Sequence, residues 1–94
     1  MEYKITRIQH TGSLLDRTDD RYPLRIGRIV DILPQNLSIG FPAFLPYVKD
    51  SDGSDYFGTL VTSRIVEIFW DKLDYSEFRI QTNNSIYSLV KVEK

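Results

Sequence analysis

Along most of the chain apolar and polar residues alternate, and Val, Ile, Thr, Tyr and Phe are abundant. Both features favour strands, and no helical face of useful length emerges. The alternation predicts a first strand over residues 3–8. It predicts a second over residues 24–33, LRIGRIVDIL, where Leu24, Ile26, Val30 and Ile32 share one parity. Arg28 interrupts that face, and Gly27 beside it suggests a bulge that turns the arginine outward to solvent. In FPAFLPYVKD, residues 41–50, Phe41, Ala43, Leu45 and Tyr47 share one parity while Pro42 and Pro46 share the other. Both missing N–H donors then fall on one side of the strand, which predicts an unpaired edge. YFGTLVTSRIVEIFW, residues 56–70, reads as one long strand bent at Thr62-Ser63. Its second half carries bulk on both parities, as in a strand buried on both faces or strongly coiled.

The stretch TNNSIYSL, residues 82–89, poses a choice between a polar binding site and a turn. A two-residue type I′ turn needs positive φ at both central positions, which Asn tolerates better than other non-Gly residues. With Asn83-Asn84 as that turn, Thr82 sits opposite Ser85, Ile80 faces Tyr87 and Phe78 faces Leu89. These make one aromatic–aliphatic ladder. Arg79 with Ser88 and Gln81 with Ile86 fall on the other side. Turns are also expected at PQNLSIG, at Gly53 in DSDGSD, and at DKLDY. Residues 11–23 form a long polar loop with a short helical turn around Leu14–Asp16. Loops of such length in small domains are often functional.

The architecture expected is all-β: a small antiparallel SH3-like barrel or sandwich of five to six strands in one domain, residues 1–94. Its core is expected to hold Ile26, Val30, Ile32, Leu45, Leu60, Val66, Ile68, Phe78, Ile80, Tyr87 and Leu89. A chain of 94 residues buries only about 60–65% of its unfolded surface, so a partner or a second copy would add stability. The absence of cysteine excludes disulfides and Cys-based zinc sites. The N-terminal MEYKITRIQH lacks a long apolar run and reads neither as a signal peptide nor as a membrane span, so a cytoplasmic location is expected.

The formal net charge is −1, unlike the basic balance usual in non-specific nucleic-acid binders. The signs are nevertheless unevenly placed. Arg17, Arg21, Arg25 and Arg28 cluster with Tyr22. Such a group can stack on bases, clamp phosphates or hold a peptide carboxylate. It can equally pair with Asp16, Asp19 and Asp20. Thr62 and Ser63, with Thr82, Asn84 and Ser85, offer hydroxyls and amides for a small ligand, or for ordinary turn chemistry. DSDGSD departs from a calcium loop, because Gly53 comes too early and Val61 stands where a closing Glu is needed. His10 is the single histidine and has no partner spacing for nucleophilic catalysis. The five glycines are too scattered for a phosphate-cradling loop. No metal, cofactor or catalytic constellation is expected.

The pattern G27-R-I-V-D-I…Y47…T62-S-R-I-V-E-I…I80-Q-T-N-N-S-I-Y87-S-L resembles short β proteins of Gram-positive bacteria and their phages, which look like small SH3-like barrels and have no assigned activity. The resemblance covers the chain from Leu24 onward and implies a fold rather than a function. The first 23 residues have no counterpart in it.

The function expected is a non-enzymatic binding module for a protein or peptide, with self-association as one form of it. The candidate residues are Arg17, Arg21, Tyr22, Arg25, Arg28, Thr62 and Ser63, since Arg and aromatic side chains dominate interface centres. The alternative is nucleic-acid or nucleotide binding through the Arg17–Arg28 region, including a phage-type inhibitor that sequesters a ligand.

Overall fold

The computed structural model describes residues 1–92, so the last two residues of the expected domain lie outside the described residues. Six antiparallel strands close into a barrel in chain order. They are β1 Glu2–His10, β2 Ile29–Asp31, β3 Pro42–Lys49, β4 Thr59–Trp70, β5 Glu77–Thr82 and β6 Ser85–Lys91. A four-residue helix, α1, spans Tyr22–Arg25, and a 3-10 turn spans Pro34–Asn36. β6 returns to pair with β1, so the first and last strands close the cylinder. Closure removes most of the open edges that a flat sheet would leave.

The core follows the period-2 pattern. Val30, Leu45, Leu60, Phe78, Ile80, Tyr87 and Leu89 are buried, together with Tyr3, Ile5 and Ile8 of β1. Burial of each large apolar side chain stabilises the fold by about 1.5–3 kcal/mol. Tyr3 meets Phe78 edge-on at 5.1 Å between ring centroids. The Tyr3 hydroxyl donates to the Tyr75 carbonyl at 2.8 Å, so its polar end is satisfied.

β4 is the bend in the barrel. Its first half pairs with β3 and its second half with β5. The β3 register slips between Val61 and Arg64, across Thr62-Ser63, and the β5 register slips again between Ile65 and Glu67. The expected bend at Thr62-Ser63 is therefore present. Val66 lies between the two slips and is 42% exposed, not in the core as the alternation suggested. Each slip inverts which parity faces inward. Ile68 and Ile26 pack only partly against the core.

The Pro-bearing strand behaves as an edge along most of its length. β2 meets β3 only at Tyr47 and Lys49. Pro42, Phe44 and Pro46 thus have β4 alone as a strand neighbour among the described residues. Phe41 shares the inward parity in the sequence but is exposed, because it precedes the strand.

Two local expectations need correction. Of the strand expected over residues 24–33 only Ile29–Asp31 forms, and residues 24–28 and 32–33 are not strand. Pro23 enters the first turn of α1, where its fixed φ is favourable and its missing N–H costs nothing. Gly27 then takes φ +89, and its N–H donates to the Ile5 carbonyl at 2.7 Å. The Ile5 N–H donates back to the Arg28 carbonyl at 2.9 Å. The chain is thereby irregularly tied to β1 before β2 begins. No helical turn occurs at Leu14–Asp16 either. Leu14 has φ +63, and Asp16 bridges back to Gln9 of β1.

The hairpin register is the expected one: Phe78 opposite Leu89, Arg79 opposite Ser88, Ile80 opposite Tyr87 and Gln81 opposite Ile86. The turn is not type I′, since neither Asn83 nor Asn84 has positive φ. The buried Thr82 hydroxyl shapes it. It accepts from the Asn84 and Ser85 N–H groups at 3.3 and 3.1 Å and donates to the Ser85 carbonyl at 3.1 Å. A Ser/Thr side chain that mimics backbone in this way replaces the need for a left-handed pair.

Candidate functional site

The arginine-rich segment returns to the barrel along β1 and the β5–β6 turn. Arg17 anchors it. Its guanidinium makes a forked contact with Asp19, at 3.2 and 2.6 Å, and donates to the Ser85 hydroxyl at 2.7 Å. It also lies 3.9 Å from the centroid of the Tyr22 ring. The side chain is only 12% exposed. The hydrogen bond from Arg17 holds the Asp19 carboxyl below its ordinary value, and His10 stands 3.6 Å from the same carboxylate. Tyr22 lies against Tyr87, whose hydroxyl is pushed up to about 12, chiefly by burial.

Arg28 is the second anchor. Contrary to the expected outward bulge, its side chain is only 14% exposed. Its guanidinium lies 4.3 Å from the Tyr56 ring centroid and 5.0 Å from that of Tyr47, and donates to Asp50 at 3.2 Å. Cation–π attraction and a charge-assisted hydrogen bond compensate for its partial burial. The Asp50 carboxyl is held low by the Ser51 N–H first and by Arg28 second. Asp52 is engaged by the N–H and hydroxyl of Ser54. The DSDGSD loop thus directs its carboxylates to its own backbone and to Arg28.

Arg21 and Arg25 differ from these anchors. The Arg25 guanidinium lies 4.6 Å from the Tyr22 ring centroid. Among the described residues, neither it nor Arg21 has a carboxylate partner. Both line a pocket of about 290 Å³ at the start of β4. Arg28, Tyr47 and Tyr56 form its other polar wall, and Leu24, Leu60 and Val61 its apolar one. Of the residues singled out in the sequence, Arg21, Arg25 and Arg28 converge here, with Tyr22 beside Arg25. Arg17 is committed to holding the segment.

Thr62 and Ser63 lie outside this pocket. The Thr62 hydroxyl accepts the Ala43 N–H at 2.9 Å and donates to the Ser63 carbonyl at 2.7 Å, which fixes the β4 bend. Buried Thr82 and Ser85 likewise serve the hairpin turn and Arg17. Thr62, Thr82 and Ser85 therefore have structural work, whereas the buried Ser63 Oγ has no hydrogen-bond partner among the described residues. A larger depression, about 760 Å³, lies where Met1, Asp31, Asp74 and Val92 come together. Two of its carboxylates are engaged locally, Asp31 by the Met1 ammonium and Asp74 by the Ser76 N–H.

Tyr47, Tyr56, Leu24 and Val61 were not singled out as site residues. Hairpin counting from the Lys49–Asp55 bridge sets Phe57, not Tyr56, opposite Tyr47, so sequence spacing alone does not bring the two tyrosines together. Their rings meet edge-on at 5.3 Å. Leu24 was assigned to an inward strand face but is 61% exposed on α1. Comparison with known protein families, curated proteins and solved structures returns no match to this chain.

Proposed function

We propose that this protein is a non-enzymatic binding module for a protein or peptide partner, and that the partner docks at the pocket beside α1. One observation carries the reading. Two guanidinium groups without carboxylate partners among the described residues stand next to tyrosines and exposed aliphatic side chains in a single concavity. Arg, Tyr and apolar side chains in one patch are what interface centres use. Self-association through the same region is one form of this reading. So is the setting implied by the resemblance, the cytoplasm of a Gram-positive bacterium or its phage.

The test is a comparison of crosslinked capture and light scattering for the native chain and the Arg25→Ala/Tyr56→Ala double variant. Capture or self-association that disappears in a folded variant supports the reading. An inert monomer with variant-insensitive capture refutes it.

A second reading, nucleotide or nucleic-acid binding with ligand sequestration as one form, is favoured by the Arg28 guanidinium over the Tyr56 and Tyr47 rings. Its signature is salt-sensitive binding of oligonucleotides or mononucleotides that weakens in Arg25→Ala or Arg28→Ala.

A further inference from the structure

We infer that the surface proposed above is built for an extended acidic peptide, with a carboxylate on Arg21 and Arg25 and an apolar side chain several residues away over Phe41 and Phe44. The inference rests on the reading that this region binds a protein or peptide. It adds the chemistry of the partner.

Charge gives the first half. Four arginines occupy residues 17–28, and among the described residues only two have a carboxylate partner, Arg17 in Asp19 and Arg28 in Asp50. Arg21 and Arg25 are left beside the pocket with no carboxylate among the described residues to meet them. Guanidinium groups without an anion are complementary to a planar carboxylate, which they grip through paired N–H donors.

The outer face of β3–β4 gives the second half. Val61 lines the arginine pocket and is 53% exposed. It sits directly opposite Phe44, 63% exposed on the same outer face. Phe44 in turn lines a second pocket of about 410 Å³ with Phe41, Pro42 and Leu37. An apolar track thus leads from Leu24 through Val61 and Phe44 to Phe41. The stretch from Tyr47 in the first pocket to Phe41 in the second is six residues, or about 20 Å of extended chain. An extended peptide of about six residues covers that span.

The same face disfavours two other occupants. A strand added at the β3 edge would find Pro42 and Pro46 without N–H groups, so the peptide lies across the face rather than extending the sheet. A polynucleotide following the track would find Arg28 already held by Asp50 at the arginine end and meet a mainly apolar lining, Leu37, Phe41, Pro42 and Phe44, beyond it. Neither suits a repeating phosphate charge.

The experiment is selection of a randomised twelve-residue peptide library on the full chain, with affinities of the selected peptides measured by fluorescence anisotropy. The expected result is enrichment of Asp or Glu about six residues from Phe, Leu or Ile. Arg21→Glu/Arg25→Glu should weaken such peptides by roughly tenfold or more, with an unchanged melting temperature. Exchange of the peptide acid for Lys should restore binding to that variant. Peptides selected without an acid, or insensitive to the charge reversal, overturn the acidic specificity and leave the binding module standing. Failure to enrich any peptide counts against the module itself. Salt-sensitive binding of a fifteen-residue oligothymidylate in place of peptides overturns both.

Discussion

The β5–β6 hairpin and the segment between Thr11 and Arg28 hold their shapes by opposite means. In the hairpin nearly every determinant is local. Phe78 and Ile80 face Leu89 and Tyr87 across a turn that Thr82 organises with its own hydroxyl. In the segment local contacts, such as Arg17 with Asp19 and Arg25 with Tyr22, are joined to remote ones. Arg17 reaches Ser85, Tyr22 lies against Tyr87, and Arg28 reaches Tyr47, Tyr56 and Asp50. The hairpin would keep its register in any barrel that buried one face. The segment takes its path only because this barrel supplies those remote partners. Structure held in this second way suits a recognition surface, since contacts can be rearranged without breaking the core.

The contrast can be broken most severely from the hairpin side. Phe78→Ala removes a fully buried ring in contact with Tyr3 and Trp70. It is expected to cost about 3–5 kcal/mol in urea unfolding, with global loss of the barrel. Thr82→Val keeps the shape but strands the Asn84 and Ser85 N–H groups. A cost of about 1–3 kcal/mol is expected, again read as a lower urea midpoint.

The segment should respond differently. Gly27→Ala forces a left-handed φ on a residue with a Cβ, which would lie 3.0 Å from the Ser51 Cβ. The expected cost is about 1–2 kcal/mol, accompanied by faster amide exchange at Ile5 and residues 26–28. Arg17→Met should unseat residues 11–22 selectively. Limited proteolysis is expected to cut there while amide protection of β5 and β6 persists; protection lost together in both regions would erase the distinction.

The pH dependence separates the two regions more gently. The buried Tyr87 keeps its proton up to about pH 12, whereas the unfolded chain releases it near its ordinary value of 10.0. The unfolded state then binds fewer protons, so stability falls as pH rises between these values. Tyr87→Phe should flatten part of that alkaline loss; Tyr3 and Tyr47, also raised by burial, account for more of it. At the acid end Asp19 is held low by Arg17, against an ordinary value of 3.8. Its contribution is present above that value and disappears as pH falls through the lowered one. Asp19→Asn should blunt the acid response at the segment and leave the hairpin unchanged, as followed by amide exchange.

This difference in mechanism also explains what could be read from sequence. The register of β5–β6, the bend at Thr62-Ser63 and the edge character of Pro42 and Pro46 were legible because each depends on neighbours in the chain. The turn type at Asn83-Asn84 was not, because the Thr82 hydroxyl competed with Asn propensity and prevailed. Residues 24–27 read as strand because their apolar parity continued that of β2; Pro23 and the left-handed Gly27 overrode it. The convergence of Arg21, Arg25 and Arg28 was visible as a cluster. Its division into paired and unpaired arginines was not, since that depends on Asp50, Tyr47 and Tyr56 arriving from another hairpin.

The two prolines of β3 bear on how this molecule behaves in a crowd. Where β2 falls short, the exposed rim of the strand offers a single amide hydrogen, that of Phe44, where a fibril would want three in succession. A sticky aromatic face can therefore stay uncovered at high concentration without templating filaments of its own kind.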